Sequence, residues 1–137
     1  MPRLYLVRHG QSEYNVARRF AGARSDIDMA DTGYRQVERL RDRLAGEKID
    51  AVYSSDLKRA LSTAEVACGN HHVEIVPCPE LREIDYGEVE GLTFDQVSQR
   101  FPALAALIHE YDLQIQFPGG ETFAGFAERV GKFRDRL

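Results

Sequence analysis

No stretch of this chain approaches the roughly 18 consecutive apolar residues that suggest a membrane span. The opening apolar run, Leu4 to Val7, is also too short for the core of a signal peptide. Cysteine is scarce: Cys68 and Cys78 are the only two. Two cysteines far from the N-terminus do not make a disulfide framework, so reduced thiols in a cytoplasmic protein are expected. Positive charge is not in excess. The 18 basic and 22 acidic residues give a net charge of −4, which argues against a nucleic-acid partner. There is no P-loop and no dinucleotide fingerprint, and Gly119-Gly120 reads as a turn. Internal repeats, low-complexity tracts and linkers are lacking too.

What remains is ordinary material for a globular domain. Its 137 residues are 43% hydrophobic and 29% charged, and a chain of this length buries a real core. A single domain over residues 1–137 is expected. With a net negative balance, any anion site must come from local positive charge. Arg3, Arg8, Arg18, Arg19 and Arg24 crowd the first segment.

Periodicity gives the elements. Leu4 to Val7 reads as a buried strand ended by Arg8-His9-Gly10. Thr32 to Leu44 carries Val37, Leu40 and Leu44 at helical spacing. Ile49 to Ser54 reads as a second strand, with Asp56 as the expected cap of the next helix. That helix presents Leu57, Ala60, Leu61 and Ala64 on one face and ends near Gly69. Val73 to Val76 is a third strand, stopped by Pro77 and Pro79. The stretch 81–92 is rich in turns. Thr93 and Gln96 form a capping box that starts a short helix, which Phe101-Pro102 breaks. Helices over 103–111 and from Phe123 to Leu137 follow, separated by the Pro118-Gly119-Gly120 turn.

Strands alternating with helices predict an α/β fold with a mostly parallel sheet. The last helix has an apolar face and only three strands precede it, so the fold is expected to be C-terminally incomplete.

In open α/β sheets ligands bind beyond the carboxyl ends of the strands. Three expected strand ends deliver Arg8-His9-Gly10, then Ser54-Ser55 with Arg59 just beyond, and Glu83. Each residue type has a chemical reason to be there. Neutral imidazole is a nucleophile that can hold a phosphoryl group covalently, and nearby arginines favour its neutral form. Arginine's planar fork suits phosphate. A carboxylic acid holding its proton can deliver it to a departing alkoxide.

These residues fall in four blocks. They are Leu6-Val7-Arg8-His9-Gly10-Gln11-Ser12-Glu13-Tyr14-Asn15; Ser54-Ser55-Asp56-Leu57-Lys58-Arg59-Ala60 with Thr63-Ala64; Leu81 to Gly91; and Phe117-Pro118-Gly119-Gly120-Glu121-Thr122 with Arg129-Val130. In order and content they resemble the histidine phosphatase superfamily, the phosphoglycerate mutase-like enzymes. The third and fourth blocks resemble its phosphatase branch, and Phe117 to Val130 looks like the α-ribazole phosphatase group.

The resemblance implies a three-layer sandwich with helices flanking the sheet. It implies His9 as nucleophile, Arg8 and Arg59 on the transferred phosphoryl group, and Asn15 on the same phosphate. Glu83 would be the proton donor, with Ala21 and Gly22 beside the substrate through their main chain. It implies no metal or organic cofactor, and a small phosphorylated metabolite as partner. Phosphomonoester hydrolysis is the expected reaction, with a phosphoglycerate mutase or a non-catalytic phosphate-binding module as alternatives.

The chain departs from the family pattern in two places. Asp26-Ile27-Asp28-Met29-Ala30-Asp31-Thr32-Gly33 stands where the family has Asp-x-Pro-Leu-Thr-x-x-Gly. Asp28 or Asp31 is the expected replacement for the missing threonine cap, worth about 1 kcal/mol. The family's second histidine, in a His-Gly context, has no counterpart in His71, His72 or His109, so impaired activity is expected of these residues alone.

Taken singly, each site residue has a bland alternative. His9 reads as a strand-end histidine, Arg59 as a surface partner of Asp56 or Glu65, and Asn15 as a turn cap. Glu80, Asp85 or Glu88 could stand in for Glu83. Cys68, His71, His72 and Cys78 match no standard zinc spacing.

Overall fold

The computed structural model describes residues 3–137. In chain order it contains α1 (Glu13–Val16), α2 (Asp31–Leu44), β1 (Val52–Ser54), α3 (Lys58–Ala67), β2 (Ile75–Pro77), α4 (Phe94–Arg100), α5 (Pro102–His109) and α6 (Phe123–Arg134). Short 3₁₀ turns lie at Pro79–Leu81 and Gly87–Val89.

The fold is a helix-rich α/β arrangement built on a small parallel sheet. β1 pairs with β2 in register Val52 to Ile75, Tyr53 to Val76 and Ser54 to Pro77. Parallel strands need a crossover, which α3 supplies, packing on both strands. Strand side chains alternate between faces. Tyr53 meets Phe133 of α6 edge-on, 5.5 Å between ring centroids, so α6 as well as α3 touches the strand pair.

The core is divided between two apolar clusters. One gathers Met29, Val37, Leu44 and Ala67 between α2 and α3. The other gathers Ile84, Val89, Val97, Leu104, Ala105, Ile115 and Phe117 under the 81–92 stretch.

Helix starts show where local chemistry decided the outcome. Thr93 and Gln96 form the expected capping box on α4. Phe101, held at φ −136° before Pro102, divides α4 from α5. α6 opens on Thr122, whose hydroxyl accepts from the Gly125 N–H at 3.0 Å, and it ends at Arg134, short of Leu137. α1 was not foreseen. It rests on a reciprocal box between Ser12 and Asn15.

Three expectations are corrected. First, Leu4 to Val7 belongs to neither strand of the sheet, and its side chains are exposed, Leu6 at 89%. An apolar run becomes a strand only where another backbone offers a ladder. Second, Asp56 does not cap α3. It grips Arg82 through two contacts of 2.6 Å, and the Lys58 N–H turns to Asp26 instead, at 2.8 Å. Third, neither Asp28 nor Asp31 caps α2, whose N-cap is Ala30 with no side-chain bond. Asp28 instead accepts from the Met29 N–H and the Tyr34 hydroxyl; Asp31 is the first helical residue.

The 81–92 stretch is pressed against the Pro118-Gly119-Gly120 turn, with the Glu88 N–H donating to the Pro118 carbonyl at 2.8 Å. Gly87 sits at φ +55°, and a side chain there would collide with that same carbonyl. Both the conformation and the close approach demand glycine. Gly87→Ala is therefore expected to cost about 2–4 kcal/mol, read as a lower denaturant midpoint at unchanged slope. A midpoint equal to the parent's would contradict the close packing of the two turns.

Candidate active site

His9 lies just before the loop into α1. It is half-buried, while Arg8 beside it is exposed. The His9 Nδ1 is 2.8 Å from the Gly10 carbonyl. A carbonyl only accepts, so Nδ1 carries the proton and Nε2 keeps a lone pair. The next residue is held from below: the Gly10 N–H donates to the Thr63 hydroxyl at 3.0 Å. That hydroxyl in turn donates to the Arg59 carbonyl at 2.7 Å. Thr63 thus fixes the backbone after His9 to the first turn of α3.

Arg59, the second residue of α3, is 2% exposed. Its Nη1 donates to the Ser25 carbonyl at 2.6 Å, and its Nη2 to the carbonyls of Ala21 and Gly22 at 3.3 and 3.1 Å. Neither Asp56 nor Glu65 is its partner. The main chain of Ala21 and Gly22 therefore meets Arg59 on its carbonyl side. The Gly22 N–H donates to Glu90 at 2.9 Å.

Glu90 goes further than any residue singled out from the sequence. Its carboxylate also accepts from the Arg24 and Tyr86 N–H groups, both at 3.3 Å, and from the Ser25 hydroxyl. It ties the 21–25 loop to the 84–91 stretch.

Asn15 closes the α1 capping box. Its Oδ1 accepts from the Ser12 N–H and hydroxyl, both at 3.0 Å. Glu83 is exposed, and its Oε1 accepts from the Ile84 N–H at 2.9 Å.

Electrostatics ties the set together. Burial pushes the His9 imidazole below its ordinary value. The Gly10 carbonyl opposes this, the charges of Arg59 and Arg8 add to it, and Glu83 pulls the other way. Burial also lowers Arg59, against the favourable fields of Glu83, Glu90 and Asp26. Burial pushes the partly buried Tyr86 up to about 12, and the charges of Glu83 and Glu90 add to it.

Three other arginines of the first segment serve elsewhere. Arg3 reaches Glu47 at 3.0 Å, Arg19 the Gly91 carbonyl at 2.6 Å and Arg24 the Asp85 carboxylate at 2.8 Å. The candidate histidines also lie apart. His71 follows α3, its Nε2 buried without a partner, and His109 ends α5. Among the described residues, no three His, Cys, Asp or Glu side chains gather as a metal site would require.

A half-buried imidazole, a buried arginine and an exposed carboxylate in mutual electrostatic reach define a class of site, and the family follows from it. The chain belongs to the histidine phosphatase superfamily (branch 1), whose pattern fits residues 4–137. Phosphoserine phosphatase 1 of Hydrogenobacter thermophilus is 32% identical over 137 residues, all of this chain and 64% of that protein. Phosphoglycerate mutase-like protein 4 of Arabidopsis thaliana is 34% identical over 97% of this chain and 56% of its own length. The crystal structure of the alpha-ribazole phosphatase from Shigella flexneri superposes with a TM-score of 0.86 at 28% identity. It covers 96% of this chain and 64% of that one. The chain thus spans about three-fifths of the length of these three relatives.

The causes acting on His9 can be separated. Its folded-state value lies below the unfolded one, so the unfolded chain binds the proton more readily. The penalty on folding begins as pH falls through about 6.5 and grows until the folded value is passed. Histidine NMR titration is expected to place His9 below about 6.5, and Arg8→Gln to raise that midpoint. A midpoint unmoved by Arg8→Gln would exclude Arg8 from the field at His9.

Proposed function

We propose that this chain carries the nucleophilic part of a phosphatase that hydrolyses a small phosphomonoester through a phosphohistidine on His9. The observation that carries the reading is the ring's own hydrogen bond. With Nδ1–H committed to the Gly10 carbonyl, Nε2 is the nitrogen able to attack, and the depressed pKa keeps it unprotonated near neutrality.

In the first step an Nε2–P bond forms and the ester P–O bond breaks. Glu83 gives its proton to the departing oxygen. Water then attacks phosphorus, gives a proton to the Glu83 carboxylate and releases inorganic phosphate with His9 restored. Arg8 and Arg59 neutralise the phosphoryl oxygens. The three carbonyl contacts of Arg59 use Nη1 once and Nη2 twice, so two of its five N–H donors, the Nε–H and the second Nη1–H, are left for substrate. Asn15 spends only its carboxamide oxygen on the α1 cap, which leaves its –NH₂ for the same phosphate. Ala21 and Gly22 line the site through their main chain.

Residues 1–137 belong, in this reading, to one histidine phosphatase domain of a cytoplasmic protein. Two cysteines without a disulfide fit that placement; among the described residues no helix is long and apolar enough to cross a membrane. The named relatives draw the substrate class toward phosphoserine or α-ribazole phosphate, both small phosphomonoesters. The mutase-like relative keeps the alternative in which the phosphoryl group returns to a sugar acid.

The test uses the full-length protein. It is expected to release phosphate from p-nitrophenyl phosphate without bisphosphoglycerate, and His9→Ala to reduce that rate by at least about 10³-fold and abolish phosphoryl labelling. Dependence on bisphosphoglycerate would favour the mutase. Labelling that survives His9→Ala would remove His9 from its role.

A further inference from the structure

The fourth sequence block, Gly119-Gly120-Glu121 with Arg129, has no part in the chemistry above. Its contacts converge on the segment that presents Glu83. Arg129, on α6, chelates Glu121: Nε to Oε1 at 2.9 Å and Nη2 to Oε2 at 2.8 Å. The same guanidinium donates from Nη1 to the carbonyls of Glu80 and Arg82, both at 2.9 Å, and from Nη2 to that of Glu83 at 3.2 Å. Glu121 holds the other side. It accepts from the Asp85 N–H at 2.9 Å, and its own N–H donates to the Asp85 carbonyl at 2.8 Å. One ion pair therefore grips the backbone before, at and after Glu83.

We propose that Arg129 and Glu121 form a strut that positions Glu83 to deliver its proton. The proposal rests on the reading of Glu83 as proton donor. An exposed glutamate with a single contact to the neighbouring N–H has little to fix its side chain, so its aim is inherited from its backbone. A small misplacement of a reacting group far outweighs a small change in stability for the rate. A pure anchor for α6 would need no such set. One carbonyl contact would suffice for that, whereas three carbonyls within four residues, plus Glu121's pair of bonds to Asp85, specify the path of the chain through Glu83.

Arginine's planar fork meets several acceptors at fixed angles, which a lysine ammonium cannot reproduce. Glu121 lies below the usual carboxylate range, chiefly through its hydrogen bonds from Arg129. The strut therefore stays ionised over the working range of pH. Its charges cancel, so it adds no anion site of its own.

A positioning role predicts a dependence on leaving group. Aryl phosphates from p-nitrophenyl to phenyl phosphate differ in how much their departing oxygen needs a proton. In the full-length protein, Arg129→Gln is expected to reduce kcat/KM for p-nitrophenyl phosphate by less than about threefold, and for phenyl phosphate by roughly 10- to 100-fold, a share of what a positioned acid contributes. Arg129→Lys and Glu121→Gln are expected to fall between parent and Arg129→Gln, and Glu83→Gln to show the steepest pattern.

Equal losses on both substrates, or no loss on either, would overturn the proposal. If Glu83→Gln itself is flat across the series, the proton-donor reading fails and takes the strut with it. If Glu83→Gln is steep and the strut variants are flat, the strut alone fails. Circular dichroism checks folding, and Glu121→Gln carries the test should Arg129→Gln not fold. If none of the three strut variants folds, the pair belongs to the fold and the positioning role is overturned.

Discussion

The site depends on a guanidinium held away from water. Arg59 sits at the start of α3 with almost no exposure, and a charge so placed is tolerable only among acceptors. The acceptors here are main-chain carbonyls at 21, 22 and 25. Satisfying that one side chain fixes the path of the loop between α1 and α2. Through Thr63, one turn further along α3, the same helix fixes Gly10 and so the ring before it. The loop, the helix start and the His9-Gly10 segment are therefore one unit, organised by a charge that cannot be left without partners.

The 81–92 stretch is a second unit, joined to the first by Glu90. Its carboxylate reaches N–H groups at 22, 24 and 86 and the Ser25 hydroxyl. The field of Glu90 also bears on Arg59, so the link is electrostatic as well as geometric. Each unit stands on its own apolar cluster. The imidazole and Glu83 come from opposite units, and Glu83 still acts electrostatically on the imidazole across the seam between them.

Much of this was legible in the sequence. Helical periodicity located α2, α3 and α6 because burial of one face is a local pattern. The Thr93 to Gln96 box was readable because its partners lie three residues apart. The cap assigned to Asp56 failed because its carboxylate takes a stronger donor in space, Arg82, 26 residues away, whereas Asp28 bonds Met29 and Tyr34 and Asp31 falls inside the helix as its first residue. Leu4 to Val7 has a strand's composition, but a strand is a relation between two chains of backbone. His9, Arg59 and Glu83 stood out through residue type and spacing. Glu90 and Thr63 lay inside the blocks but drew no role, since nothing local says what Glu90 binds that Glu88 does not, or what Thr63 holds that another helical threonine would not. Arg129 was visible as part of a block, but its contacts with the backbone of residues 80–83 are distant in sequence.

The strand pair bears on how the molecule yields. β1 and β2 are three residues each, and Tyr53 and Val76 at their centres are largely exposed. A two-stranded ladder is marginal by itself, so its persistence is borrowed from α3 and α6. The region built on Val97 and Val89, both without exposure, has far more to lose on opening. Thermal fluctuation will therefore be uneven, with amide protons of the ladder trading with solvent long before those around the second cluster. A protein that softens on one flank while staying rigid on the other can admit change at its sheet margin and still keep the Glu83 side of the seam in place.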